Sequence, residues 1–228
     1  MVDKKIMNLG IIIFSRLSSK RLKRKALMKI GNKTLIERVI ERLKASNNKF
    51  KIIMATSKSE EDRALVEVAK KNKILHFQGE LDDVLCRAYS CALKFNLSHV
   101  IRVSGDSPLF DPLIIDTLIK KLKSELDILT NTFPRTFPKG FSCEVIRTKT
   151  LKQILNMTKN KKDREHVTRF IYSNPQYFRI VNVKSGVKIK NNRNYSIDEE
   201  KDLLFIKRLY KKFGEKLFKM NFHEILNL

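Results

Sequence analysis

The sequence predicts an α/β protein: a mainly parallel, twisted sheet flanked by helices, with residues 131–190 as an inserted arm or small subdomain. Two observations carry this. Short apolar runs alternate with segments of helical period from Leu9 to Thr130, and the connections between them are short, as in strands joined by crossover helices. The rhythm then breaks at NTFPRTFPKGF (131–141), which carries two prolines and a glycine and reads as extended and irregular. The 228 residues are treated as one domain, long enough to bury a substantial core.

The elements follow in order. Leu9–Phe14 is an apolar run of strand length; no small-residue cleavage site follows it, so it reads as a buried strand and not as a secretion signal. Thr34–Lys44 has apolar residues at 35, 36, 39, 40 and 43, one face of an amphipathic helix. Lys51–Thr56 is a second strand. Ser59, followed by Glu60, Glu61 and Asp62, reads as an N-cap with acids in the first turn of a helix running to about Lys71. Ile74–Phe77 is a third strand, Asp82–Phe95 a helix and His99–Val103 a fourth strand. Pro112 opens a helix to about Lys123, with Asp111 before it as the cap. Leu126–Thr130 is a fifth strand. Beyond it come an extended Val145–Ile146, helical stretches near 148–157 and 163–173, and a strand pair near 178–190. A last helix runs from Ile197 to Lys212.

Composition excludes several classes. Hydrophobic content of 42% with 32% charged residues suits a packed globule, not a disordered chain. No window approaches the roughly 18 apolar residues of a membrane span. Three cysteines, Cys86, Cys91 and Cys143, make no disulfide framework and no paired zinc spacing, so a reducing cytoplasm is the expected location. The net charge of +24 favours a polyanionic partner. Yet lysines are spread along the whole chain, and no aromatic-rich RNA-binding strand, zinc module or helix-turn-helix accompanies them. The charge therefore reads as a compositional bias, with a basic nucleic-acid-binding protein as the weaker alternative.

Ligands of open parallel sheets bind beyond the carboxyl ends of the strands. Three stretches follow strands directly and are expected to converge there: the basic loop from Arg16 to Lys25, ATS at 55–57 and GDSP at 105–108. The loop holds six positive charges in ten positions. Arg16, Ser19, Arg21 and Lys25 are donors spaced to reach around a phosphate chain; a solvated basic turn is the competing reading. Asp106 sits where a metal ligand would sit, or makes an Asx turn. Asp198 is either a second carboxylate of a hard-oxygen Mg²⁺ site or one of several acids at a helix start. Glu165 and His166, adjacent in REHVT, suit contact with a polar substrate, although a structural histidine is the commoner case. The four histidines form no metal motif, and no nucleophilic triad is supported.

Taken together, SRLSSKRLKRK (15–25), ATS (55–57), DDVLCRAY (82–89), IRVSGDSPLFDP (101–112), NTFPRTFPKGF (131–141), REHVT (164–168) and SIDEEKDL (196–203) resemble the sugar-acid cytidylyltransferases. These are the CMP-Kdo and CMP-acylneuraminate synthetase relatives, and the spore-coat polysaccharide cytidylyltransferase-like subgroup is the nearer match. The ordered set spans nearly the whole chain. The resemblance implies a Rossmann-like nucleotidyltransferase that converts CTP and a sugar, a 2-keto-3-deoxy sugar acid among the candidates, into a CMP-sugar and pyrophosphate for surface polysaccharide biosynthesis. It implies Mg²⁺ on Asp106 and Asp198, a triphosphate grip by Arg16, Ser19, Arg21 and Lys25, and catalytic roles for Arg16, Lys25 and Asp106. It extends nucleotide contact to Ala55, Thr56, Ser57, Ser104 and Gly105, and sugar contact to Arg135, Glu144, Glu165 and His166. A homodimer is also implied, with the 131–190 arm as a possible contact.

The sequence departs from the family pattern in places. Phe14–Ser15 replaces a small residue and Ala before the first arginine, Lys23–Arg24 replaces Pro-Gly, and Ser104 replaces Thr. Lys20, Lys23 and Arg24 therefore read as part of the chain-wide basic bias, not of the grip. A nucleotidyltransferase using another nucleotide, or a glycosyltransferase of similar fold, is the alternative.

Overall fold

The computed structural model describes residues 7–19, 21–187, 189 and 193–228. Nine strands and nine α-helices are formed among them: β1 (Leu9–Phe14), β2 (Lys29–Ile30), β3 (Lys33–Thr34), α1 (Leu35–Lys44), β4 (Lys51–Ser57), α2 (Arg63–Lys71), β5 (Leu75–Gly79), α3 (Val84–Lys94), β6 (His99–Ser104), α4 (Leu113–Ile119), β7 (Ile128–Thr130), β8 (Glu144–Arg147), α5 (Thr148–Met157), α6 (Lys161–Glu165), α7 (Arg169–Ser173), β9 (Ile180–Asn182), α8 (Glu200–Phe213) and α9 (Phe222–Leu226).

Seven strands make one sheet in the order β5-β4-β1-β6-β8-β7-β9, and β2 and β3 form a separate hairpin. The strands β5, β4, β1 and β6 pair in parallel. The strand β8 runs against both its neighbours, β6 and β7, and β9 lies parallel to β7. The mainly parallel sheet is therefore as expected, with one reversed strand. The stretch from 131 to 190 adds β8 and β9 to this sheet, with β8 wedged between β6 and β7. It is woven into the main sheet instead of standing off as an arm. Of the strand pair expected near 178–190, Ile180–Asn182 forms; residues 188 and 190 lie outside the described ones.

Alternation along the central strands explains both layers. Ile11 and Ile13 of β1, with Met54, Ile101, Val103 and Val145, face α1, α2, α4 and α8. Ile12, with Ile53, Ala55, Val100, Ile128 and Ile146, faces α3, α5 and α7. A sheet covered on both faces needs continuous apolar strands, which is what LGIIIF supplies. Helix starts are chemically specified. Thr34 and Glu37 form a capping box at α1, and Asp83 caps α3 by accepting from the Cys86 N–H at 2.8 Å. Asp111 accepts from the Leu113 N–H at 3.0 Å, as expected of a cap, and its other oxygen takes the Phe222 N–H at 2.7 Å, tying α9 to α4.

Several helices differ from expectation: α4 ends at Ile119 and not near Lys123, and α8 begins at Glu200 and not at Ile197 and is followed by α9. The 163–173 stretch is two short helices, because the chain turns between Glu165 and Arg169 to present His166. Helix α2 begins at Arg63 and not at Ser59, since Asp62 turns inward, where it is 1% exposed. Cys91 and Cys143 are buried, and burial pushes both thiols well above their ordinary range, Cys91 to about 12. No helix among the described residues is long and apolar enough to cross a membrane.

Candidate active site

The loop after β1 alternates buried anchors with cavity-facing cations. Leu17, at 0% exposure, plants the middle of the loop in the core. Its N–H donates to Asp62 Oδ1 at 2.7 Å and its carbonyl accepts from the Arg24 N–H at 3.1 Å. The second Asp62 oxygen accepts from the Ser57 N–H and hydroxyl at the end of β4. One buried carboxylate thus ties the loop to the neighbouring strand. The loop ends in a 3₁₀ turn, Lys25–Leu27, entered through Arg24 at φ 55°, ψ 22°. That left-handed conformation costs a residue with a Cβ about 1 kcal/mol and glycine nearly nothing. This gives a physical reason for Gly at this position in the resembling pattern.

The turn points Lys25 into a cage of oxygens. Its Nζ donates to Asp106 Oδ2 at 3.1 Å, Asp198 Oδ1 at 3.1 Å and the Ile197 carbonyl at 2.6 Å. The two aspartates arrive from distant parts of the chain, and backbone holds both. Gly105 packs so closely that a Cβ there would meet the Phe14 carbonyl at 2.9 Å, and its N–H donates to that oxygen at 3.1 Å. The Ile197 N–H donates to the Asp106 carbonyl at 2.8 Å, joining the two loops. Asp202, in the first turn of α8, accepts the N–H groups of Asp198 and Glu199, each at 2.9 Å. Arg21 adds a second cation to Asp198 Oδ1 at 3.0 Å.

Arg16 lines the same cavity. It donates to Glu165 Oε1 at 2.8 Å, to the Leu81 carbonyl at 3.2 Å and to Asp82 at 3.4 Å. Behind it lies Arg87 of α3, 2% exposed, which also donates to the Leu81 carbonyl, at 3.1 Å. Burial, and then the neighbouring Arg16, lower the Arg87 pKa. Together these groups line a cavity of about 400 Å³ that also includes Ser19, Ser104, Gly105 and His166. Its walls carry the cations Arg16, Arg21, Lys25 and Arg87 and the carboxylates Asp106, Glu165 and Asp198.

The structure therefore brings together Arg16, Ser19, Arg21, Lys25, Ser104, Gly105, Asp106, Glu165, His166 and Asp198. Lys20 lies outside the described residues, while Lys23 and Arg24 are exposed and do not line the cavity. Five other expected residues fall elsewhere. Ala55, Thr56 and Ser57 are each 0% exposed within β4 and outside the cavity wall, and Ser57 grips Asp62. Glu144 is 2% exposed in β8 and lies outside the cavity wall, committed as a buried ion-pair partner to Arg102 and as an acceptor to the Tyr172 hydroxyl, each at 2.5 Å. Arg135 donates to Ser142 at 2.9 Å and lines a separate cavity with Lys139 and Asn194. Two residues of the site escaped the sequence reading: Asp62, hidden among the acids of an apparent helix start, and Arg87, hidden on the apolar face of α3. The signal for Arg87 was present, an arginine at a core position of an otherwise apolar helix face.

A divalent cation is tested by the donor set itself. Three hard oxygens already converge on one positive atom at Lys25 Nζ, and Mg²⁺ is commonly held by one or two carboxylates with substrate phosphates completing its shell. Among the described residues no cluster of three or more His, Cys, Asp or Glu exists that would make a self-sufficient metal site. The pair Asp106 and Asp198 fits a metal completed by phosphate.

Comparison with known proteins agrees with the geometry. The family model described as cytidylyltransferase matches residues 10–224. A protein of uncharacterised function from Methanocaldococcus jannaschii is 34% identical over 204 residues, 89% of this chain and 83% of that one. The spore coat polysaccharide biosynthesis protein SpsF of Bacillus subtilis is 28% identical, over 90% of this chain and 87% of its own. Among solved structures, a cytidylyltransferase from Leptospira borgpetersenii superposes with a TM-score of 0.91 at 25% identity, covering 97% of this chain and 93% of that one.

Proposed function

The chain belongs to the cytidylyltransferase family, and from that premise we propose that it transfers CMP from CTP to a sugar acid of the 2-keto-3-deoxy type, releasing pyrophosphate. The observation that carries this reading is the meeting of Asp106 and Asp198 at Lys25, beside Arg16 and Arg21, at the carboxyl ends of β1 and β6. A hydroxyl oxygen of the sugar attacks the α-phosphorus in line. The bond from that phosphorus to the bridging oxygen of the β-phosphate breaks, pyrophosphate leaves with the electron pair, and the hydroxyl proton passes to solvent or a nearby carboxylate.

Most of the catalysis in such a step is positioning and charge neutralisation. Arg16, Arg21 and Lys25 are placed to offset charge growing on the departing pyrophosphate. Ser19 offers a hydroxyl to the phosphate chain, and Ser104 and Gly105 form the cavity floor beside Asp106. Asp106 and Asp198 would hold a Mg²⁺ ion, which supplies charge neutralisation at the α-phosphate and eases ionisation of the attacking hydroxyl. Glu165 and His166, which line the same cavity as Lys25, are assigned to contact with the sugar. The cationic walls suit two anionic substrates, and the likeness to a spore coat polysaccharide protein supports a product destined for surface polysaccharide.

The test is a pyrophosphate-release assay across a panel of nucleoside triphosphates and sugar acids. CTP with one sugar acid is expected to turn over, and Asp106→Ala to abolish turnover while leaving the melting transition in place. Equal use of all four triphosphates, or unchanged turnover in Asp106→Ala, overturns the proposal.

A further inference from the structure

Among the described residues, each cation of the first loop that lines the cavity is held by a carboxylate of the same cavity: Arg16 by Glu165, Arg21 by Asp198, Lys25 by Asp106 and Asp198. Lys25 is the extreme case. An ammonium has three protons, and three oxygens between 2.6 and 3.1 Å take them. None is left for a phosphate. The carboxylates are engaged as well: Asp198 Oδ1 accepts from both Lys25 and Arg21. The second oxygen of Asp106 accepts from the Ser107 hydroxyl at 3.2 Å. The side chains are largely enclosed, with Lys25 15%, Asp106 21% and Asp198 24% exposed.

We propose that Lys25 is an intramolecular counter-ion that holds the place of the divalent cation, and that a triphosphate admits the metal by drawing this ammonium away. The inference rests on the reading of Asp106 and Asp198 as the metal-binding pair. Two like-charged species cannot share these oxygens: a dication entering alone stands against an ammonium at contact distance in a poorly solvated site. The partner that moves is also legible. Both aspartates are pinned through backbone, by the Ile197 N–H on the Asp106 carbonyl and by Asp202 on Asp198 and Glu199. Lys25 reaches them through a flexible four-carbon stem. A phosphate oxygen offers the ammonium a replacement anion, and the freed carboxylates then face the metal. Metal and triphosphate are thereby coupled, and by linkage each strengthens the other.

The consequence runs against the usual effect of deleting a site residue. Removing Lys25 should cripple turnover and yet improve metal binding. The experiment is Mn²⁺ titration without nucleotide, followed by the loss of the free-ion EPR signal, on wild type, Lys25→Met and Lys25→Met/Asp198→Asn. Lys25→Met is expected to bind one Mn²⁺ at least about tenfold more tightly than wild type, and the double variant to lose that gain. Lys25→Gln, also uncharged, serves if the Met variant does not fold. Mn²⁺ affinity in the single variants equal to or weaker than wild type overturns the inference, as does a gain that survives Asp198→Asn. The first of these outcomes leaves the metal-pair reading standing, since its own test is the dependence of wild-type pyrophosphate release on added Mg²⁺; the second tells against Asp198 as a metal ligand.

Discussion

Asp62→Asn tests whether one buried carboxylate positions the loop after β1. Asp62 is 1% exposed and accepts three hydrogen bonds: from the Leu17 N–H at 2.7 Å on one oxygen, and from the Ser57 N–H and hydroxyl on the other. Asparagine keeps the shape but has a single acceptor oxygen. If that oxygen stays with Ser57, the amide NH₂ faces the Leu17 N–H and two donors meet. A hydrogen bond to a charged acceptor contributes about 1.5–3 kcal/mol, and an orphaned buried donor costs about 1–3 kcal/mol. The two overlap, so the expected loss is about 3 kcal/mol. Urea unfolding of both proteins measures it. With the tether cut, the Arg16–Lys25 segment loses its fixed relation to β4. The expected fall in kcat/KM for CTP is then at least about tenfold, measured where both proteins are fully folded. A variant within about 0.5 kcal/mol of wild type with unchanged kcat/KM would refute the reasoning.

Further outcomes follow from the same geometry. Lys25→Ala should lower kcat/KM for CTP by roughly 10²–10³, whereas Lys23→Ala, at an exposed position outside the cavity, should change it less than twofold; equal effects would make the loop a generic basic surface. Arg24→Gly should raise stability by about 0.5–1 kcal/mol in urea unfolding, because it relieves the left-handed backbone at φ 55°. Arg42 is 3% exposed and donates to the carbonyls of Phe110, Phe218 and Met220, each at 2.8 Å. Arg42→Met should cost about 3–5 kcal/mol and open the C-terminal segment to limited proteolysis. Burial, and then Arg147, lower the His99 pKa from its ordinary 6.5 to about 4. Between those values the unfolded chain takes up a proton that the folded chain refuses. The contribution is therefore complete above pH 6.5 and lost as pH falls toward 4, by about 3 kcal/mol. His99→Gln should flatten that part of the stability–pH curve.

Periodicity and cap chemistry are local properties, and here they were enough to place most elements. Leu9–Phe14 and Lys51–Thr56 were legible because a strand buried on both faces must be apolar throughout. Thr34–Lys44 was legible because its apolar stripe has the helical period, and the capping box of Thr34 and Glu37 starts the helix at the same place. The loop residues around the cavity were legible too, since the ends of parallel strands converge wherever the sheet order lies. Other features depended on partners far along the chain. The strand β8 inserts between β6 and β7 because Val145 and Ile146 find Ile101, Val100, Leu129 and Ile128, and nothing in the local pattern of 131–190 names those neighbours. Asp62 and Glu144 look like ordinary polar residues in sequence, yet they are buried because Leu17, Ser57, Arg102 and Tyr172 supply their hydrogen bonds. Ala55, Thr56 and Ser57 follow the strand pattern into the core and so leave the cavity wall.

By itself, then, the sequence determined the alternation of strands and helices, the family, and which charged residues stand at the strand ends. Only the tertiary structure decided which charge meets which. Backbone periodicity is set by neighbours three or four residues away, whereas Lys25 meets Asp106 and Asp198 across 81 and 173 residues, a juxtaposition that exists only once the sheet has formed.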